Sequence, residues 1–166
     1  MKTIGYILLF IVVMFLLSLA AAWRTDAAEL KHTVPAYVES VYDGDTFTVR
    51  ADIWPNHSVK ISVRIMGIDT PEIRGSCTYE IELAKRARDF LKQTLFPFGG
   101  DIKGNRVWLI EPKNGKYAGR VVATVLTDEG FDVATLMIHK GYARPYDGKG
   151  PRKSWCIDDG QSSPHP

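Results

Sequence analysis

Between Lys60 and Leu95 the spacing of apolar residues changes from two to helical, and this switch limits the possible folds more than any other feature of the chain. Ile61, Val63 and Ile65 alternate with Ser62, Arg64 and Met66, the pattern of a half-buried strand running from Lys60 to Ile68. From about Tyr79 to Leu95, Leu83, Ala87, Phe90 and Leu91 recur at i, i+4, i+7 and i+8, leaving Lys85, Arg88 and Lys92 on another face. Glu80 and Glu82 fall early in this helix and the basic residues late, as the helix dipole favours.

Shorter runs complete the series. β-branched and aromatic residues at Val38 to Val41 and Phe47 to Ile53 flank the turn sequence Asp43-Gly44-Asp45, and Pro55-Asn56-His57 forms the next turn. Arg106 to Ile110 and Arg120 to Leu126 read as strands joined around Lys113-Asn114-Gly115. Val133 to His139 reads as a short helix stopped by Gly141, and the tail from Asp147 as irregular. The order β-β-β-α-β-β-α predicts an α+β, mainly β, fold: a five-stranded barrel of the oligonucleotide/oligosaccharide-binding (OB) type, with one helix inserted after strand 3 and a short one after strand 5. Closing the barrel removes the edges that short strands would expose.

The N-terminus is of another kind. Ile4 to Ala22 is an aliphatic run interrupted only by Gly5, Tyr6 and Ser18, which suits a bilayer rather than a soluble core. A cleaved signal peptide would use Lys2 as its charged start and Ala20-Ala21-Ala22 or Asp26-Ala27-Ala28 for cleavage. A retained anchor would span the membrane with residues 4–22, since about 20 apolar residues suffice. Both place the domain outside, either secreted or periplasmic, or held at the membrane. The expected organisation is signal or anchor at 1–22, linker at 23–35, one domain at 36–156 and an irregular tail at 157–166.

The formal charge is +2 over 166 residues, too near balance to argue for a nucleic-acid partner. Two basic groups, Lys85/Arg86/Arg88/Lys92 and Lys140/Arg144/Lys149/Arg152/Lys153, read as solvated faces unless a phosphate-directed site exists elsewhere. Cys77 and Cys156 are an even pair in an exported domain, a disulfide candidate, and the scattered histidines offer no zinc-ligand spacing.

Three clusters could carry chemistry. Asp43-Gly44-Asp45-Thr46 places two carboxylates on one side of an extended segment, although Asp-Gly alone also makes ordinary turns. Asp69-Thr70-Pro71-Glu72 ends the strongest strand with two acids and a carbonyl that Pro71 helps turn outward, an oxygen-rich cluster suited to a hard cation. Arg64, mid-strand opposite the aliphatic residues, and Arg120, at the start of the fifth strand, each need an anionic partner, either a phosphate or a structural carboxylate.

Together, Val41-Tyr42-Asp43-Gly44-Asp45-Thr46, Arg64-Ile65-Met66-Gly67-Ile68-Asp69-Thr70-Pro71-Glu72 and Lys116-Tyr117-Ala118-Gly119-Arg120-Val121 resemble the three signature segments of the staphylococcal nuclease (thermonuclease) family, in order and with a helix between the second and third. The resemblance runs from about Val38 to Pro145. It implies a calcium-dependent endonuclease on an OB-type barrel that hydrolyses DNA and RNA and leaves 3′-phosphates, other divalent metals being possible. It assigns cation binding to Asp45, Asp69 and the Thr70 carbonyl, with Asp43 behind them. Glu72 is the implied general base, Arg64 and Arg120 hold the phosphate, and Lys116, Tyr117 and Tyr146 contact substrate.

Ala118 is a departure, standing between Tyr117 and Gly119 where the family's best-known member runs directly from Tyr to Gly. The long C-terminal helix of that member is also missing. In its place a Cys77–Cys156 disulfide would pin the tail to the loop before the first helix, the alternative being a free buried pair. Two rival functions keep parts of this site: a non-catalytic nucleic-acid-binding module, which needs the arginines but not Glu72, and a phosphodiesterase for small nucleotides. No protein partner is evident.

Overall fold

The computed structural model describes residues 32–97, 105–116 and 118–156. The segment expected to be a signal or anchor, most of the expected linker, the tail from 157 and Tyr117 lie outside them. Among the described residues no helix is long and apolar enough to cross a membrane.

Five strands close a barrel in the order β1 (Thr33–Val41), β2 (Thr46–Trp54), β3 (His57–Ile65), β6 (Arg120–Thr127) and β5 (Arg106–Asn114), with β5 returning to β1. The first two meet antiparallel, as do β2 and β3, and β5 with both of its neighbours; β3 and β6 run parallel. This is the expected OB-type barrel within an α+β fold. The first strand starts at Thr33 rather than Val38, so it takes up the end of the expected linker. It pairs there with β5, Thr33 opposite Ile110, and that long-range pairing leaves no local signature.

Alternation fills the barrel. Phe47, Val49 and Ala51 of β2, Val63 and Ile65 of β3, Val107 and Leu109 of β5, and Ala123 and Val125 of β6 are all buried, and the residues between them are less so. Helix α1 (Thr78–Leu95), inserted after β3 and the short strand β4 (Ile68–Asp69), buries Leu83, Ala84, Ala87, Leu91 and Leu95 against the barrel. Phe90, expected in the stripe, is only partly buried and lies against Tyr142, with ring centroids 5.2 Å apart. Helix α2 (Val133–His139) is capped by Asp132, whose carboxylate accepts from the Thr135 N–H at 2.8 Å. A last short strand, β7 (Arg144–Pro145), pairs with β4, Asp69 opposite Arg144.

Glu80 stands in the first turn of the helix, as the dipole favours. It is buried, and its carboxylate accepts from the backbone N–H of Ser76 at 2.8 Å and of Glu72 at 3.3 Å. As the third residue of α1 it reaches back over the loop 72–76 in the manner of a capping box, and Gly75 leaves room for it.

Candidate active site

The parallel pairing of β3 with β6 brings the two arginines together. Ser62 lies opposite Arg120 and Arg64 opposite Val122, so Arg64 and Arg120 share one face of the sheet. Both line a cleft of about 770 Å³, together with Asp43, Glu72, Lys116 and Tyr146. Of the sequence-predicted residues, Asp45, Asp69 and Thr70 are buried next to this cleft, each 2–4% exposed.

The two acidic segments adjoin. A Cβ at Gly44 would lie 3.0 Å from the Cβ atoms of Thr70 and Ala87, so the Asp-Gly-Asp turn rests against the Asp69–Thr70 segment with little room for a side chain at residue 44. Inside the turn, the Asp45 N–H donates to Asp43 Oδ1 at 3.1 Å, and the Asp45 carbonyl accepts from the Ile65 N–H at 2.8 Å.

Two of the buried carboxylates, Asp45 and Asp69, have a cationic neighbour. Arg64 grips Asp45 with both arms, Nη1 to Oδ1 at 2.8 Å and Nη2 to Oδ2 at 2.7 Å. Burial pushes the Asp45 carboxyl up to about 7, against the pull of Arg64 and with a further push from Asp43. Asp69 is met from the C-terminal tail instead. Arg152 Nη1 donates to Asp69 Oδ1 at 3.0 Å and also to Glu72 Oε1, and the Trp155 indole N–H donates to Asp69 Oδ2 at 3.0 Å. Glu72 and Asp69 hold the Arg152 guanidinium more firmly protonated than usual.

The described part of the tail, residues 147–156, is irregular, as expected, but tightly held. Cys77 and Cys156 form a disulfide, with Cα atoms 6.0 Å apart. Arg144 stacks over the Trp155 ring, 3.5 Å from its centroid, and donates to the Ser154 carbonyl at 3.0 Å. The Tyr146 hydroxyl donates to the Gly150 carbonyl at 2.8 Å. Arg144 and Arg152, expected on a solvated face, are therefore built into the site's surroundings. Neither Arg152 nor Trp155 stood out in the sequence; the one available signal was the Trp155-Cys156 pair beside a candidate half-cystine.

The donors suit a hard divalent cation: buried carboxylates at Asp43, Asp45 and Asp69, with Thr70 beside them and no thiolate or imidazole among them. A different group, Cys77, Glu80 and Cys156, brings its ligand atoms within 4.8 Å of one another, but its sulfurs are joined to each other and offer no thiolate.

An OB-type barrel carrying two arginines and a carboxylate in a cleft backed by buried acids defines a class of domain that handles phosphodiesters. The family model described as staphylococcal nuclease homologue matches residues 62–156, more than half of the chain, and the chain belongs to that family. The match takes in Arg64, the Asp69–Glu72 segment and Arg120, and extends through the tail to Cys156. The domain is thus of a nuclease-like or nucleic-acid-binding kind, in a family generally of nucleases. No curated protein matches the chain.

Proposed function

We propose that this protein is a divalent-cation-dependent nuclease, with calcium as the expected ion, that hydrolyses phosphodiester bonds of DNA and RNA outside the cytoplasmic membrane. The observation that carries the reading is the single cleft lined by Arg64, Arg120 and Glu72 and backed by buried Asp45 and Asp69. Arg64 and Arg120 hold the phosphate and stabilise the charge that grows on its oxygens as the phosphorus is attacked. Glu72, with its side chain 42% exposed, is open to the cleft and takes the proton of the attacking water. Asp45, Asp69 and the Thr70 carbonyl would hold the cation, and Asp43 shapes the turn that presents Asp45. A bound cation would supply positive charge beside the phosphate and polarise the water. Lys116 and Tyr146 line the approach to the cleft and would contact the substrate, as would Tyr117. The disulfide supports an oxidising compartment, hence export through residues 1–22.

The test is cleavage of plasmid, single-stranded DNA and RNA by the full chain in mild detergent, with calcium, with magnesium and with chelator. The expected result is cation-dependent cutting that Glu72→Gln removes. Absence of cutting by the wild type, or equal cutting by Glu72→Gln, overturns the assignment. One observation favours a purely binding module: Glu72 is already paired with Arg152. Retardation of DNA in a gel without any cleavage would select that reading.

A further inference from the structure

Asp69 is the carboxylate whose two oxygens are treated differently, and both of its side-chain partners come from the tail. Its Oδ1 meets Arg152, whose side chain is 43% exposed and lines the cleft. Its Oδ2 meets the indole N–H of Trp155, which is 4% exposed. The half-exposed guanidinium sits on a flexible stem and has a second carboxylate, Glu72, to keep it paired when Oδ1 is released. The indole is held in place: Arg144 is stacked on its ring, the next residue is disulfide-bonded to Cys77, and its only polar atom is a donor.

We propose that Trp155 is a positioning residue of the cation site. By occupying Oδ2 it fixes the rotation of the Asp69 carboxylate, so that Oδ1, which the cleft-lining Arg152 meets, is the oxygen the cation would take in place of that guanidinium. The inference rests on the assignment of Asp69 as a cation ligand. Its physical basis is general: a ligating carboxylate held by a hydrogen bond from behind loses less freedom on binding, and removing such an outer partner weakens metal affinity about 10–100-fold. The tail therefore replaces bulk solvent as the environment of Asp69, and the disulfide keeps it there.

Trp155→Phe tests this, because it deletes the N–H and keeps an aromatic ring beneath Arg144 and the adjacent disulfide. Calcium affinity is read by titration calorimetry on the full chain, with the melting temperature recorded alongside. The expected result is a roughly 10–100-fold weaker calcium affinity in a variant that still melts cooperatively. A second reading needs no variant to fold: in ¹⁵N-indole-labelled wild type, the Trp155 N–H resonance should shift as calcium is added. A Trp155→Phe protein with wild-type calcium affinity, or an indole resonance that calcium leaves in place, overturns the positioning role alone. A wild type that takes up no calcium overturns the cation assignment, and this inference with it.

Discussion

At Gly75 one added methyl group would decide the geometry of the Glu72 loop. A Cβ there would lie 2.5 Å from the Glu80 Cγ and Cδ, so Gly75→Ala must push Glu80 away from the two N–H groups it accepts. The expected cost is about 1–3 kcal/mol, the range for overpacking, read as a lower urea midpoint. Arg120 makes a different demand, since a planar fork can hold two phosphate oxygens at once. Arg120→Lys should lower kcat on the order of 10²–10³-fold, as the loss of one charge-stabilising donor does, with circular dichroism unchanged. Arg64, Arg120 and the acids stood out in the sequence because Arg64 and Arg120 are cations on strands with no acid beside them in the chain, and the acids cluster in Asp43-Gly44-Asp45 and Asp69-Thr70-Pro71-Glu72. Glu80 does lie in the first turn, but its burial over the loop was not legible: a helical position three residues in looks the same whether the carboxylate faces water or a loop.

Among the elements, the tail shows how far local pattern reaches. Its composition promised irregular chain, and irregular chain it is, yet its contacts lie 80 residues back at Glu72 and 86 residues back at Asp69. No periodicity encodes pairings of that separation; only the two cysteines hinted at them. Cys77→Ser with Cys156→Ser opens a covalent ring spanning 79 residues, which should lower stability by about 4–5 kcal/mol in the chain-entropy model, measured by chemical denaturation with and without reductant. Helix α2 offers a smaller effect. Asp132→Ala removes the side chain that accepts from the Thr135 N–H, and a melt should register about 1 kcal/mol. That helix was placed correctly from sequence because its stop at Gly141 and its apolar run are both local.

For the whole molecule, the barrel was readable because five alternating strands and one inserted helix admit few closed arrangements, and the parallel contact of β3 with β6 follows once the ring closes. What stayed hidden was the extension of β1 to Thr33, which exists only because β5 lies beside it. Phe47, fully buried at the centre of the ring, is the residue whose loss the whole barrel feels. Phe47→Ala should cost about 3–5 kcal/mol, seen as one cooperative transition at a lower midpoint.

The disulfide also has a meaning in time. The chain is made from its N-terminus, so Asp69 leaves the ribosome 86 residues before the indole that holds it. A chain that stops at Tyr146 already carries the seven strands and two helices of the described residues, but neither Trp155 nor Cys156. Such a truncated protein should give the circular dichroism of the barrel at low temperature and bind calcium as weakly as Trp155→Phe. The surroundings of Asp69 are thus finished only after Arg152, Trp155 and Cys156 have been made and the two cysteines have been oxidised.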